Sequence, residues 1–146
     1  MKTRTENYID SAIIWAISQL GNEHYCFRCL AFVEDAYEES NAIEVFGGSS
    51  AKESADEYGV TGIPSGEPPR GAFVFFDMTG ELFDITTNWG HVGLCLGDGR
   101  IVHAWDEVRI HDIRAVEALE PAEGWPQPRY IGWAPVERIL QGHKVR

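Results

Sequence analysis

The sequence predicts an α+β fold in which N-terminal helices pack on an antiparallel β-sheet. The N-terminal part of the chain repeats apolar side chains at helical spacing. From residue 71 onward, short stretches rich in β-branched and aromatic side chains are separated by Gly, Asp or Asn, which is typical of strands. With 146 residues and 44% hydrophobic side chains, we expect a single domain over residues 1–146.

Two amphipathic helices are predicted near the N-terminus. The first covers residues 7–20 and ends at Gly21. Its apolar stripe consists of Ile9, Ala12, Ile13, Ala16, Ile17 and Leu20. The second covers residues 29–40 and carries carboxylates on the face opposite its apolar stripe.

Residues 41–70 are rich in Gly, Ser and Pro, and we interpret them as an insertion or lid. A short polar helix is predicted over residues 51–58, with Ser50 as its N-cap.

Five strands are predicted after this segment. They are "GAFVFFD" (71–77), "HVGLCLG" (91–97), "RIVHAW" (100–105), "VRIHDI" (108–113) and "RYIGWAP" (129–135).

The chain has 3 cysteines, an odd number in a protein large enough to fold without disulfides. Cys95 lies inside an apolar strand and is expected to be a small buried hydrophobe. Cys26 and Cys29 could form a disulfide, a redox pair or half of a zinc site with His91 and His103, or one could be a nucleophile. A helix and loop precede them, whereas a thioredoxin-like motif should follow a strand. The zinc ligand types are suitable, but nothing in the sequence fixes their geometry.

The strand containing His91 and the strand containing His103 are joined by "GDG". A two-residue loop, 98–99, would direct the two histidines to opposite faces of the sheet. A three-residue loop, 97–99, places His103 opposite Gly93 and diagonal to His91 on the same face. Diagonal neighbours are about 7–8 Å apart, within reach of two imidazoles. We predict the three-residue loop.

Cys29 lies at the predicted start of the second helix. The positive end of the helix dipole is expected to lower the pKa of a thiol there and to favour the thiolate. A neighbouring histidine can accept the thiol proton, and a third group can orient that histidine. Cys29, His91 and His103 therefore supply the residue types of a Cys-His-His triad.

Residues 8–134 resemble the NlpC-type cell-wall peptidases, papain-like cysteine enzymes that cut the peptide stems of peptidoglycan. The matching stretches are "YCFRCLAFVEDAY" (25–37), "PPRGAFVFF" (68–76) and "GHVGLCLGDGRIVHA" (90–104). The resemblance implies Cys29 as nucleophile, His91 as base and His103 as the group that orients His91. It also implies peptidoglycan stem peptides as the substrate class, with no metal and no cofactor. Tyr25 is the nearest candidate for the tyrosine with which the family shapes its oxyanion hole.

The chain departs from the family where the usual Asp-Cys-Ser-Gly is replaced by Arg-Cys-Leu-Ala at residues 28–31. This change affects the expected substrate more than the expected reaction. The alternatives are an acyl transferase or deamidase on the same fold, and a catalytically inactive binding module. In the permuted acyl transferases the histidine precedes the cysteine, whereas here Cys29 comes first.

The net charge of −11 argues against nucleic acid or an anionic membrane surface as the main partner. No apolar run approaches the roughly 20 residues of a membrane span. The N-terminus lacks the pattern of a signal peptide, so we expect a cytoplasmic protein or one exported by a non-standard route. His24, His111 and His143 are expected to be surface or structural residues. The sequence indicates no oligomeric state.

Overall fold

The computed structural model describes residues 1–62 and 66–146. Helix α1 begins after Thr3, whose hydroxyl accepts the backbone N–H of Glu6, and α2 begins at Cys29. Ser50 caps α3 by accepting the N–H of Glu53, as predicted. The helices are α1 (Arg4–Ser18), α2 (Cys29–Asn41), α3 (Ala51–Glu57), α4 (Ile113–Val116) and α5 (Val136–Ile139).

The predicted α+β class is confirmed, because the helices pack on an antiparallel sheet. The strands are β1 (Ile43–Glu44), β2 (Phe73–Asp77), β3 (Thr79–Leu82), β4 (Ile85–Asn88), β5 (His91–Cys95), β6 (Arg100–Ala104), β7 (Val108–Asp112), β8 (Arg129–Ala134) and β9 (Lys144–Val145). The central sheet has 5 strands in the order β7-β6-β5-β2-β8. Each of the five predicted strands is present in it.

The two faces of the central sheet pack against different apolar clusters. The face toward α1, α2 and α3 carries the main core, with Phe75, Val92 and Val102 fully buried. The other face holds a smaller apolar cluster that includes Cys95. Cys95 is 0% exposed, which confirms its prediction as a small buried hydrophobe. Helix α2 therefore reaches the sheet from one side, with Cys29 at the end where β5 begins.

The β5–β6 hairpin has the predicted three-residue loop. Leu94 pairs with Val102, so His103 lies opposite Gly93, and Gly99 has a φ of +84°. Gly93 has little free space around it, since a Cβ there would lie 2.5 Å from Cδ1 of Ile101 and 3.1 Å from Cβ of His103. The glycine allows the His103 backbone to pack closely against β5.

Two strand pairs were not predicted from the sequence. The β3–β4 hairpin turns through Phe83 and Asp84, with φ values of 55° and 64°. Strand β1 pairs with β9, which joins the C-terminal segment to residues 43–44. The interpretation of residues 41–70 as an insertion or lid stays a prediction, and residues 63–65 of that segment lie outside the described residues. Within the described part of the chain, no helix is both long and apolar enough to cross a bilayer.

Candidate active site

A cleft of about 910 Å³ opens at the end of the sheet where β5 begins and β6 ends. Cys29 contributes to one wall, and His91 and Ala104 contribute from the two strands. Helix α2 packs against both β5 and β6, so the fold brings the helix start and the strand ends into one cavity. Of the predicted site residues, Cys29 and His91 therefore line the same cleft.

Cys29 is the first residue of α2, and its thiol is half-buried. The residue two positions earlier, Phe27, has a φ of 60°, so the chain turns sharply before entering the helix. The backbone N–H groups of Val92, Leu30 and Cys29 lie close enough to the thiol sulfur to favour its thiolate form. The first N–H groups of a helix have no partner within the helix, which leaves two of these donors available.

Burial raises the pKa of the Cys29 thiol to about 11, although the three N–H donors oppose that rise. The expectation that the helix start would favour the thiolate is therefore wrong for the resting protein. The dipole of a helix end contributes about 0.3–1 kcal/mol, and the loss of water around a thiolate outweighs it here.

His91 and His103 form a direct hydrogen bond, with 2.7 Å between Nε2 of His91 and Nδ1 of His103. His91 is 4% exposed and His103 is 0% exposed. Burial lowers the pKa of His91 to about 3. Burial also lowers the pKa of His103, and a charge on His91 or His111 would lower it further. Both imidazoles are therefore neutral near pH 7.

His111 extends this pair to a row of three rings. Its Nδ1 lies 2.9 Å from Nε2 of His103, and its side chain lines the same cleft. From the sequence, His111 was expected to be only a surface or structural residue. The available signal was side-chain parity across β6 and β7, because Ile101 pairs with His111 and lies on the same face as His103.

The structure places Tyr25 beside α2. The Tyr25 hydroxyl donates to the Asp35 carboxylate at 2.6 Å, and the ring packs edge-on against Trp15 and Phe32. Burial, followed by the bond to Asp35, raises the pKa of Tyr25 to about 12. The candidate role of Tyr25 in an oxyanion hole stays a prediction, since its hydroxyl is bonded to Asp35 in this geometry.

Aromatic side chains form much of the remaining cleft wall. Trp125 packs against Phe27 with 5.5 Å between ring centroids, and it covers Gly80, where a Cβ would lie 2.3 Å from the indole. Phe83, at the tip of the β3–β4 hairpin, is 87% exposed and also lines the cleft, together with Trp89. These aromatic rings therefore give the cleft wall an apolar part.

The three cysteine thiols are free, with Cys26 exposed at the cleft. Within residues 1–62 and 66–146, no three His, Cys, Asp or Glu side chains are grouped as metal ligands.

Comparison with known proteins identifies the family and the fold of the chain. A model of the NlpC/P60 family matches residues 19–121, more than half of the chain. Among solved structures, a crystal structure of the P60 domain from the M. avium paratuberculosis antigen MAP1272c is similar, with a TM-score of 0.51 and 13% sequence identity. The match covers 90% of this chain and 94% of that chain. At that identity the likeness shows the fold alone. No curated protein sequence matches the chain significantly.

Proposed function

The chain belongs to the NlpC/P60 family, and on that premise we propose that it hydrolyses amide bonds in peptidoglycan stem peptides through Cys29, His91 and His103. The family consists generally of cysteine peptidases and suggests a cell-wall peptidase or amidase. The observation that carries the proposal is the 2.7 Å bond between the buried imidazoles of His91 and His103, because His91 lines the same cleft as Cys29. The presence of Cys29, His91 and His103 together favours an active hydrolase over an inactive binding module, because a binding module would not need a buried base.

The reaction begins with a neutral thiol and a neutral imidazole. Nε2 of His91 is bonded to His103, so Nδ1 is the nitrogen left to accept the thiol proton. As Cys29 Sγ attacks the amide carbon, the S–H proton passes to Nδ1 of His91 and the carbonyl oxygen becomes an oxyanion. His91 then gives that proton to the leaving amine, and water hydrolyses the thioester with His91 again as base.

The oxyanion requires hydrogen-bond donors near the sulfur. The N–H groups of Cys29, Leu30 and Val92 surround the thiol and are the nearest backbone candidates. Donors of this kind are worth about 2.7–4 kcal/mol each where they have been removed from other enzymes. Tyr25 would add a donor only after its hydroxyl leaves Asp35.

His103 acts by orienting His91. It is fully buried, and its Nδ1 lies 2.7 Å from Nε2 of His91, so the His91 ring is held with Nδ1 directed away from His103. A partner of this type fixes both the tautomer and the angle of the base.

Digestion of purified peptidoglycan, followed by mass spectrometry of the muropeptides, tests the proposal. We expect new free amines from cleaved stem peptides with the wild-type protein and none with Cys29→Ala. Cys26→Ala is the matched control, since Cys26 is exposed and three residues away, and it should retain most of the activity. If Cys26→Ala is inactive and Cys29→Ala is active, the nucleophile assignment is wrong. Intact stem peptides with all variants would refute the substrate class.

A further inference from the structure

Three histidine rings form a continuous hydrogen-bonded row from the buried site to the outer cleft. The distances are 2.7 Å between His91 and His103 and 2.9 Å between His103 and His111. His103 is 0% exposed, whereas His111 is only half-buried. The proposed reaction uses His91 and His103 and gives His111 no role.

The direction of the hydrogen bonds follows from the chemistry of neutral imidazole, which has one N–H and one free lone pair. If Nδ1 of His91 is to accept the Cys29 proton, the His91 proton lies on Nε2 and is donated to Nδ1 of His103. His103 must then carry its own proton on Nε2, which donates to Nδ1 of His111. All three rings share one tautomer, and the row points from the thiol to the cleft surface.

A positive charge on His91 has little stabilisation where it first forms. The ring is buried, and loss of hydration is the cause that lowers its pKa. No carboxylate is hydrogen-bonded to His91 or His103 within the described residues; each nitrogen that has a partner is bonded to another imidazole. A charge held there would be poorly solvated until the amine leaves.

We propose that His111 is the outer end of a proton relay that removes this charge from the buried site. When the thiol proton reaches Nδ1 of His91, the Nε2 proton of His91 moves to Nδ1 of His103. The Nε2 proton of His103 then moves to Nδ1 of His111. The products are a neutral His91, a neutral His103 and an imidazolium at His111, and the reverse transfers return a proton to the leaving amine. This inference rests on the proposed function, because it assigns the fate of the proton in that reaction.

The surroundings of His111 suit a cation better than those of His91. Its charged neighbours are Asp106, Arg109 and Asp112. Partial burial, followed by the Arg109 guanidinium, lowers the pKa of His111, whereas the two carboxylates favour the imidazolium. Arg109 is itself paired with Asp106 at 2.7 Å and with Glu107 at 3.4 Å, which reduces its repulsion. Half-exposure lets water share the remaining charge.

Two substitutions separate proton transfer from simple orientation of His103. In His111→Asn the side-chain oxygen can still accept the N–H of His103 but cannot carry a proton, and in His111→Phe both abilities are lost. We expect both variants to lower kcat by about 10- to 100-fold, at or below the low end of what a directly acting proton-transfer group contributes. Protonation of His111 blocks the row, so the acid limb of kcat/KM should move to lower pH in both variants. His143→Asn, away from the cleft, should change neither quantity, and thermal melting should show each variant folded.

A wild-type kcat and an unmoved acid limb in His111→Asn would overturn the relay and leave His111 a positioning residue only.

The tautomers can be read without any substrate by ¹⁵N NMR of the histidine rings near pH 7. Protons on Nε2 of all three rings, with His111 the first to charge on acidification, support the relay. A proton on Nδ1 of His103 would overturn it. If the wild-type protein cuts no stem peptide, the proposed function fails, and the NMR result still decides the relay.

Discussion

Alkylation of Cys29 by iodoacetamide measures the protonation state of its thiol. Burial raises that pKa to about 11, so at pH 7 about 1 molecule in 10⁴ carries the thiolate, against about 3% for a free cysteine. The ratio of thiolate populations is roughly 300. The more basic thiolate is intrinsically about tenfold more nucleophilic, given a Brønsted coefficient of about 0.4–0.5. We therefore expect Cys29 to react roughly 20- to 30-fold more slowly than free cysteine at pH 7.

The assay follows the alkylated Cys29 peptide by mass spectrometry after timed quenching between pH 6 and pH 10. Cys26→Ala removes the exposed neighbouring thiol, and reduced glutathione in the same tube supplies the free-thiol reference. The Cys29 rate should rise about tenfold per pH unit beyond the pH at which the reference levels off. A Cys29 rate that exceeds the reference at pH 6 and stays flat to pH 8 would refute the reasoning. The resting site would then be a thiolate–imidazolium pair, and burial would not decide the protonation state.

Two further predictions concern the histidine pair. Gly93→Ala places a Cβ 2.5 Å from Ile101 and 3.1 Å from His103, and we expect a loss of about 1–3 kcal/mol in urea unfolding and a lower kcat. In the control Gly99→Ala the Cβ meets nothing within 4 Å but the φ of +84° is strained, so this variant should lose stability without a change in kcat. An unchanged kcat for Gly93→Ala would contradict the packing argument. Burial lowers the pKa values of His91 and His103, so below about pH 6.5 the unfolded chain binds more protons than the folded protein. The free energy of unfolding should therefore fall by up to about 1.4 kcal/mol per pH unit for each ring as the pH drops from 6.5 to 4.5. The urea midpoint of a His91→Gln, His103→Gln double variant should fall less over that range, and parallel curves for the two proteins would count against neutral buried rings.

The sequence was sufficient to predict the register of the β5–β6 hairpin. Gly97 and Gly99 mark the loop, and the alternation of side chains along each strand then fixes which residues share a face. No register was predicted for the next hairpin, so His111 was not connected with His103. The strand containing His103 was predicted to continue to Trp105, whereas β6 ends at Ala104 and pairs there with Val108. A register derived from the predicted strand ends would have been wrong by one residue, which turns every later side chain to the other face.

The β3–β4 hairpin could not be predicted for a different reason. Its two turn residues, Phe83 and Asp84, both have positive φ values, a conformation for which Gly or Asn is the usual sequence signal. Asp is tolerated there, but a bulky aromatic residue is unusual. Phe83 is 87% exposed and lines the cleft, so the strained turn presents an apolar side chain at the cleft of the candidate site.

The protonation state of Cys29 depends on tertiary burial, which a helix-start argument from sequence does not include. A neutral resting thiol changes what the N–H donors of Cys29, Leu30 and Val92 contribute. They bond weakly to a neutral sulfur, and charge-assisted hydrogen bonds to an oxyanion are roughly twice as strong. In the proposed reaction these donors would therefore stabilise the transition state more than the resting state, which is the condition for accelerating the chemical step. The same neutrality protects the Cys29 thiol, since oxidation of a cysteine follows its thiolate character.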